Sequence, residues 1–202
     1  MRIMFLKPPT RTACTSTMLV VVASLWLAVA GNLALWRTLL ALPDLTGWHG
    51  MGFGVAFALM IACVVAALLS LLAWRFTLKP AITVLLLMAA FGAYFMLAYG
   101  IAIDASMLVN VMQTDVKEAG DLLNWRMLAT VLALTAPPLL WLYRRPVRQI
   151  PAFRHMAHNG MLLVGSVVVI VVCLLLVFQD FASVMRNHKS LRYMLNPFNT
   201  VY

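Results

Sequence analysis

"GMLLVGSVVVIVVCLLLVFQ", residues 160–179, runs for 20 residues without a single charged side chain. A helix rising about 1.5 Å per residue needs about 20 mostly apolar residues to cross the hydrocarbon core of a bilayer. Working outward from this block, four more stretches meet the same requirement: 17–41, 51–74, 80–103 and 125–143. Composition agrees, with 64% hydrophobic and only 10% charged residues and a mean hydropathy of +0.95. Soluble domains carry roughly a quarter charged residues, so this chain belongs among membrane proteins. Cleavable signal peptides have apolar cores of only about 7–15 residues, so the much longer first block reads as a retained anchor. The fold expected is an all-α membrane protein of five transmembrane helices, packed as one bundle.

Charge placement gives an orientation. With a cytoplasmic N-terminus, Arg2, Lys7, Arg11, Arg75, Lys79, Arg144, Arg145, Arg148 and Arg154 gather on the cytoplasmic side. Arg37, Lys117, Arg126, Arg186, Lys189 and Arg192 fall on the other side, together with all six acidic residues. Lysine and arginine bias in short loops orients membrane proteins, and "YRRPVRQIPAFRH" is the strongest single signal. The C-terminus is therefore expected outside. The net charge of +9 flanks hydrophobic segments, which points to anionic lipid headgroups and not to nucleic acid. Trp36, Trp48, Trp74, Trp125 and Trp141 lie near span ends, where amphipathic rings settle. Pro137 and Pro138 are expected to bend the fourth span, and "GFG" at 52–54 to allow close helix approach.

Two polar elements are expected on the outer face. Between spans three and four, Met107, Leu108, Val111, Met112, Ala119 and Leu122 recur near helical spacing, which predicts an amphipathic helix at the membrane surface. On it Asn110, Thr114 and Glu118 stand four residues apart and share one face. By spacing alone this row is either a solvated face or a track for a polar ligand. A phosphate ester carrying an amine would suit the track, with Glu118 against the ammonium and Asn110 and Thr114 on phosphate oxygens. Asp121 follows the row without a comparable partner. After span five, "FQDFASVMRNHKSLRYMLNPFNTVY" alternates apolar residues with Arg186, His188, Lys189 and Arg192. This predicts a basic juxtamembrane helix that either attracts phosphorylated headgroups or leads toward another domain. The division expected is 1–180 for the bundle and 181–202 for the exit helix and linker.

Motifs for catalysis are missing. No Gly-rich phosphate loop, GxSxG elbow or HExxH helix occurs. Cys14, Cys63 and Cys173 form no CxxC pair, and His49, His155, His158 and His188 lack clustered partner ligands, so no metal site is expected in these residues. Mid-membrane charge, which a proton or ion relay requires, is almost absent, and this argues against transport.

"YGIAIDASMLVNVMQTDVKEAGDLLN" from Tyr99 and "FQDFASVMRNHKSLRYMLNP" from Phe178 resemble the membrane domain of lipid A phosphoethanolamine transferases, a family that includes the mobile colistin-resistance enzymes. The likeness covers essentially the whole chain. It implies residence in the bacterial inner membrane and a role in moving phosphoethanolamine from phosphatidylethanolamine to lipid A, which lowers lipid A charge and gives polymyxin resistance. It implies that Asn110, Thr114 and Glu118 surround the headgroup, with weaker lipid contacts at Arg186, His188, Lys189 and Arg192. It also implies a periplasmic domain carrying a threonine nucleophile and zinc. Nothing in these 202 residues corresponds to that nucleophile or its zinc ligands, so the chain alone is expected to be inactive, with its own catalytic domain as a partner. The alternative from a different class is a non-catalytic assembly subunit that docks a partner through the basic exit helix.

Overall fold

The computed structural model describes residues 14–45, 47–74, 76–100, 124–147 and 151–197. The first span is built from α1, Ser16–Val29, a 3₁₀ turn Ala30–Asn32, and α2, Leu33–Leu40. Single helices form the rest: α3 Gly47–Leu71, α4 Leu78–Tyr99, α5 Trp125–Arg144 and α6 Ala152–Leu176. A short helix α7, Phe178–Asn187, and a 3₁₀ turn Lys189–Met194 follow. Five helices are thus long and apolar enough to cross a membrane, and the chain is a multi-pass, all-helical membrane protein. The segment expected to hold the amphipathic helix between spans three and four lies outside the described residues.

Consecutive spans run in opposite directions, as cross-contacts at both ends of α4 and α5 demonstrate. Near the Trp125 end of α5, the Tyr94 hydroxyl donates to Asn124 Oδ1 at 3.2 Å. At the opposite end, the Thr83 and Tyr143 hydroxyls are 3.1 Å apart. Asn159 Nδ2 of α6 donates to the Ala73 carbonyl that follows α3, at 3.2 Å, and Trp74 stacks on His155 nearby. The N-terminal approach is tied in at this same end, where Cys14 N–H donates to the Pro146 carbonyl at 3.0 Å.

Each buried stripe follows helical spacing. On α5 it is Met127, Val131, Thr135 and Leu142; on α4 it runs through Leu78, Ile82, Leu86, Ala89 and Ala93. The sixth helix buries only Ser166 and Cys173 and forms the bundle's edge, with Val164, Val168, Val171 and Leu175 exposed. Lipid tails are as apolar as leucine, so these exposed faces cost nothing in a bilayer. Threonines inside the spans satisfy themselves: Thr130 and Thr135 donate to the carbonyls four residues back, Arg126 and Val131, at 2.8 and 2.7 Å.

Two details differ from the sequence reading. First, α6 begins at Ala152, well before the apolar block at 160, because its first turns carry Arg154, His155 and His158 into the interface and hydropathy does not register such extensions. Second, Gly52 and Gly54 meet no neighbouring atom among the described residues, and Gly54 lines an open groove instead. Close helix approach occurs at Gly31, where an added Cβ would lie 3.2 Å from Ala89 Cβ, while Gly92 meets the Asn196 side chain of the exit segment. Pro137 and Pro138 both fall inside α5, which continues through them from Trp125 to Arg144. Pro138 has no N–H for the Leu134 carbonyl four residues earlier, and Trp26 Nε1–H of α1 occupies that carbonyl at 3.0 Å.

Candidate functional site

The first span contains a fault with no proline to cause it. In an unbroken α-helix the Leu27 and Ala28 carbonyls would accept from the N–H groups of Gly31 and Asn32. Here the turn Ala30–Asn32 is 3₁₀, and side chains take over. Asn32 Nδ2 donates to the Leu27 carbonyl at 2.9 Å, and Trp36 Nε1 donates to the Ala28 carbonyl at 2.9 Å. Asn32 is only 1% exposed, and it precedes the eight-residue helix Leu33–Leu40, which puts it about 12 Å below the end of the span. An amide at that depth demands partners.

Its partner is the chain that leaves the fifth span. α7 carries Asp180 in its first turn and Arg186 in its last, the arrangement that complements a helix dipole. Its apolar side packs on α3, with the Phe181 and Phe57 rings 6.1 Å apart. Val184 and Leu191 are buried in the same cluster as Leu35, Phe53 and Phe57. Past the 3₁₀ turn, Asn196 plugs into the broken span. Its N–H donates to Asn32 Oδ1 at 2.9 Å, and its carbonyl accepts from Asn32 Nδ2 at 3.0 Å. Its own Nδ2 donates to the Gly31 carbonyl at 3.0 Å and approaches Met96 Sδ at 3.8 Å. Asn196 Oδ1 finds no hydrogen-bond partner among the described residues and faces Gly92, where any Cβ would overlap it.

The same stretch of α4 also holds the roots of the polar loop. Gly100 ends α4 with φ +67, the left-handed cap that glycine favours, and its N–H donates to the Met96 carbonyl at 3.0 Å. At the far end of the loop, Asn124 caps α5 by accepting from the Met127 N–H at 2.9 Å, and it also accepts from Tyr94. Gly92, Tyr94 and Met96 therefore tie together the exit segment, the start of α5 and the departure of residues 101–123. Asn110, Thr114 and Glu118 lie outside the described residues. Arg186 is exposed and His188 half-buried; Lys189 and Arg192 are on the 3₁₀ turn, their side chains outside the description. Sequence reasoning missed Asn32, Gly92 and Asn196. The available signal was the amide in "VAGNLALW", a polar group with no snorkelling reach inside an apolar block.

Beside this junction a groove of about 620 Å³ opens between the first span and α3, walled by Val29, Trp36, Leu40, Met51, Gly54 and Val55. Its lining is apolar enough for a lipid tail. No three His, Cys, Asp or Glu side chains converge among the described residues.

The chain is similar to known membrane transferases. It shares 29% identity over 179 residues with the phosphatidylethanolamine transferase Mcr-2 of Escherichia coli, covering 89% of this chain and 33% of that protein. With Mcr-1 of Escherichia coli it shares 31% over 153 residues, covering 75% and 28%. With the phosphoethanolamine transferase EptA of Escherichia coli K12 it shares 26% over 182 residues, covering 89% and 33%. The integral membrane lipooligosaccharide phosphoethanolamine transferase A (EptA) of Neisseria meningitidis has the same fold, with a TM-score of 0.83 at 23% identity over 93% of this chain and 35% of that one. The chain thus spans about a third of the length of these relatives. The sequence profile described as phosphoethanolamine transferase EptA/EptB matches residues 61–202, and the chain belongs to that family.

Proposed function

We propose that these residues form the lipid-handling membrane portion of a phosphoethanolamine transferase of the bacterial inner membrane, with the N-terminus cytoplasmic and the Trp48 end of the bundle periplasmic. The donor is phosphatidylethanolamine and the acceptor lipid A, the reaction behind polymyxin resistance. One observation carries this reading: the family match over 61–202 includes both the polar loop and the basic exit helix.

Glu118 pairs with the headgroup ammonium, and Asn110 and Thr114 donate to its phosphate oxygens. The groove beside Trp36 shelters an acyl chain, keeping the headgroup at the membrane surface. Arg186, His188, Lys189 and Arg192 raise the local concentration of phosphorylated lipids, including the acceptor. The phosphoryl-transfer step belongs to a periplasmic catalytic domain docked above the exit helix, and the 202 residues by themselves bind and orient lipid without turnover. The bundle corresponds to 1–180 and the exit helix and linker to 181–202.

In the full-length enzyme, Glu118→Ala removes one charged hydrogen bond of about 1.5–3 kcal/mol, so transfer should fall roughly 10–150-fold. Chromatographic detection of modified lipid A would measure it. Undiminished transfer by a folded Glu118→Ala protein would remove the role.

A further inference from the structure

We infer that Asn32, Asn196 and Gly92 form a latch that seats the exit segment inside the bundle and fixes where the chain proceeds past Pro197. These are positioning residues, and the inference stands independently of which lipid is handled.

The latch has three mutually dependent parts. The break in the first span supplies the socket, because only there does the Gly31 carbonyl lie open to Asn196 Nδ2. Asn32 closes the clasp by pairing with both the N–H and the carbonyl of Asn196, the way two peptide groups pair across a strand ladder. Gly92 supplies the space, since a methyl group there would collide with Asn196 Oδ1. Gly92 lies seven residues before Tyr99, the end of α4, which places the seat about 10 Å below the bundle surface. Irregular backbone at such depth persists only where protein surrounds it, and both Asn196 and Pro197 are buried. The seated residue is a purpose-fitted polar plug, since an apolar residue of similar size would leave the Gly31 carbonyl unpaired.

The latch acts on segment 188–197, whereas the spans themselves are held by separate contacts, such as Trp26 on Leu134 and Asn159 on Ala73. Loosening the seat should therefore free the segment without melting the bundle. Lys189 and Arg192 are native trypsin sites within it, and cleavage there reads the unseated population.

The test is tryptic cleavage after Lys189 and Arg192 in nanodisc-embedded protein, alongside thermal unfolding. Gly92→Ala should accelerate cleavage about tenfold or more while shifting the bundle's Tm by less than about 4 °C. Asn196→Ala keeps the backbone clasp but removes the side chain the new methyl would strike. Gly92→Ala should therefore add nothing in the Asn196→Ala background. Asn32→Ala introduces no clash, removes both clasp bonds, and should accelerate cleavage to a similar degree. Wild-type cleavage rates in Gly92→Ala or Asn32→Ala would overturn the latch. So would an equal effect of Gly92→Ala with and without the Asn196 side chain, or acceleration matched by a collapse in Tm.

Discussion

Trp26 and Trp36 perform the same task at two different faults. Each donates its indole N–H to a carbonyl that its helix has left without a backbone donor, Leu134 beside Pro138 and Ala28 beside the 3₁₀ turn. In hydrocarbon such a carbonyl has no water to turn to. Trp26→Phe keeps the ring and loses the donor, so it should destabilise by about 0.5–1.5 kcal/mol, toward the lower end given measured membrane hydrogen bonds of about 0.6 kcal/mol. Pro138→Ala restores a backbone N–H for Leu134, and in that background the Trp26→Phe penalty should shrink toward zero. A double-mutant cycle on unfolding in mixed micelles measures the difference, and equal penalties in both backgrounds would contradict the explanation. The sequence announces the prolines, but it does not announce which side chain repairs them. That pairing joins residues 108 positions apart, and only packing brings them together.

At the scale of elements, hydropathy alone made five spans legible, because the bilayer imposes one length on every apolar helix. The exit helix was legible from Phe181, Val184 and Met185 recurring beside Arg186, but it ends at Asn187, and Lys189 and Arg192 of the same basic run fall on the 3₁₀ turn that follows. What hydropathy could not reveal was the fault at Ala30–Asn32: one Gly-Asn pair in a long apolar run is compatible with a straight helix. Its meaning depends on Asn196, which sits 164 residues away from Asn32. The basic exit segment carries its own prediction. Each cation near an anionic surface contributes about 1 kcal/mol, so exchanging Arg186, Lys189 and Arg192 together for Gln should weaken phosphatidylglycerol binding by roughly fivefold per charge. A lipid titration in neutral-lipid nanodiscs at two salt concentrations checks this, because surface attraction is screened within about 8 Å at physiological ionic strength. Unchanged, salt-insensitive binding would show that these cations do not meet lipid.

For the molecule as a whole, family and fold came from a wide agreement, with the profile match across 61–202 and the shared bundle over 93% of the chain. The candidate site was legible differently. Asn110, Thr114 and Glu118 could be picked out because four-residue spacing aligns them, yet spacing gives no depth, partner or distance. The described residues contribute the frame around that loop: Gly100 and Asn124 at its roots, held through Met96 and Tyr94. Headgroup recognition by the row is therefore best measured as binding, separately from turnover. Short-chain phosphatidylethanolamine should bind the micelle-embedded chain more tightly than the phosphatidylcholine counterpart, whose quaternary ammonium has no N–H to donate, and Glu118→Ala should abolish that preference by losing roughly 10–150-fold in phosphatidylethanolamine affinity. Equal affinity for the two lipids in the wild type, or a preference that survives Glu118→Ala, would contradict it.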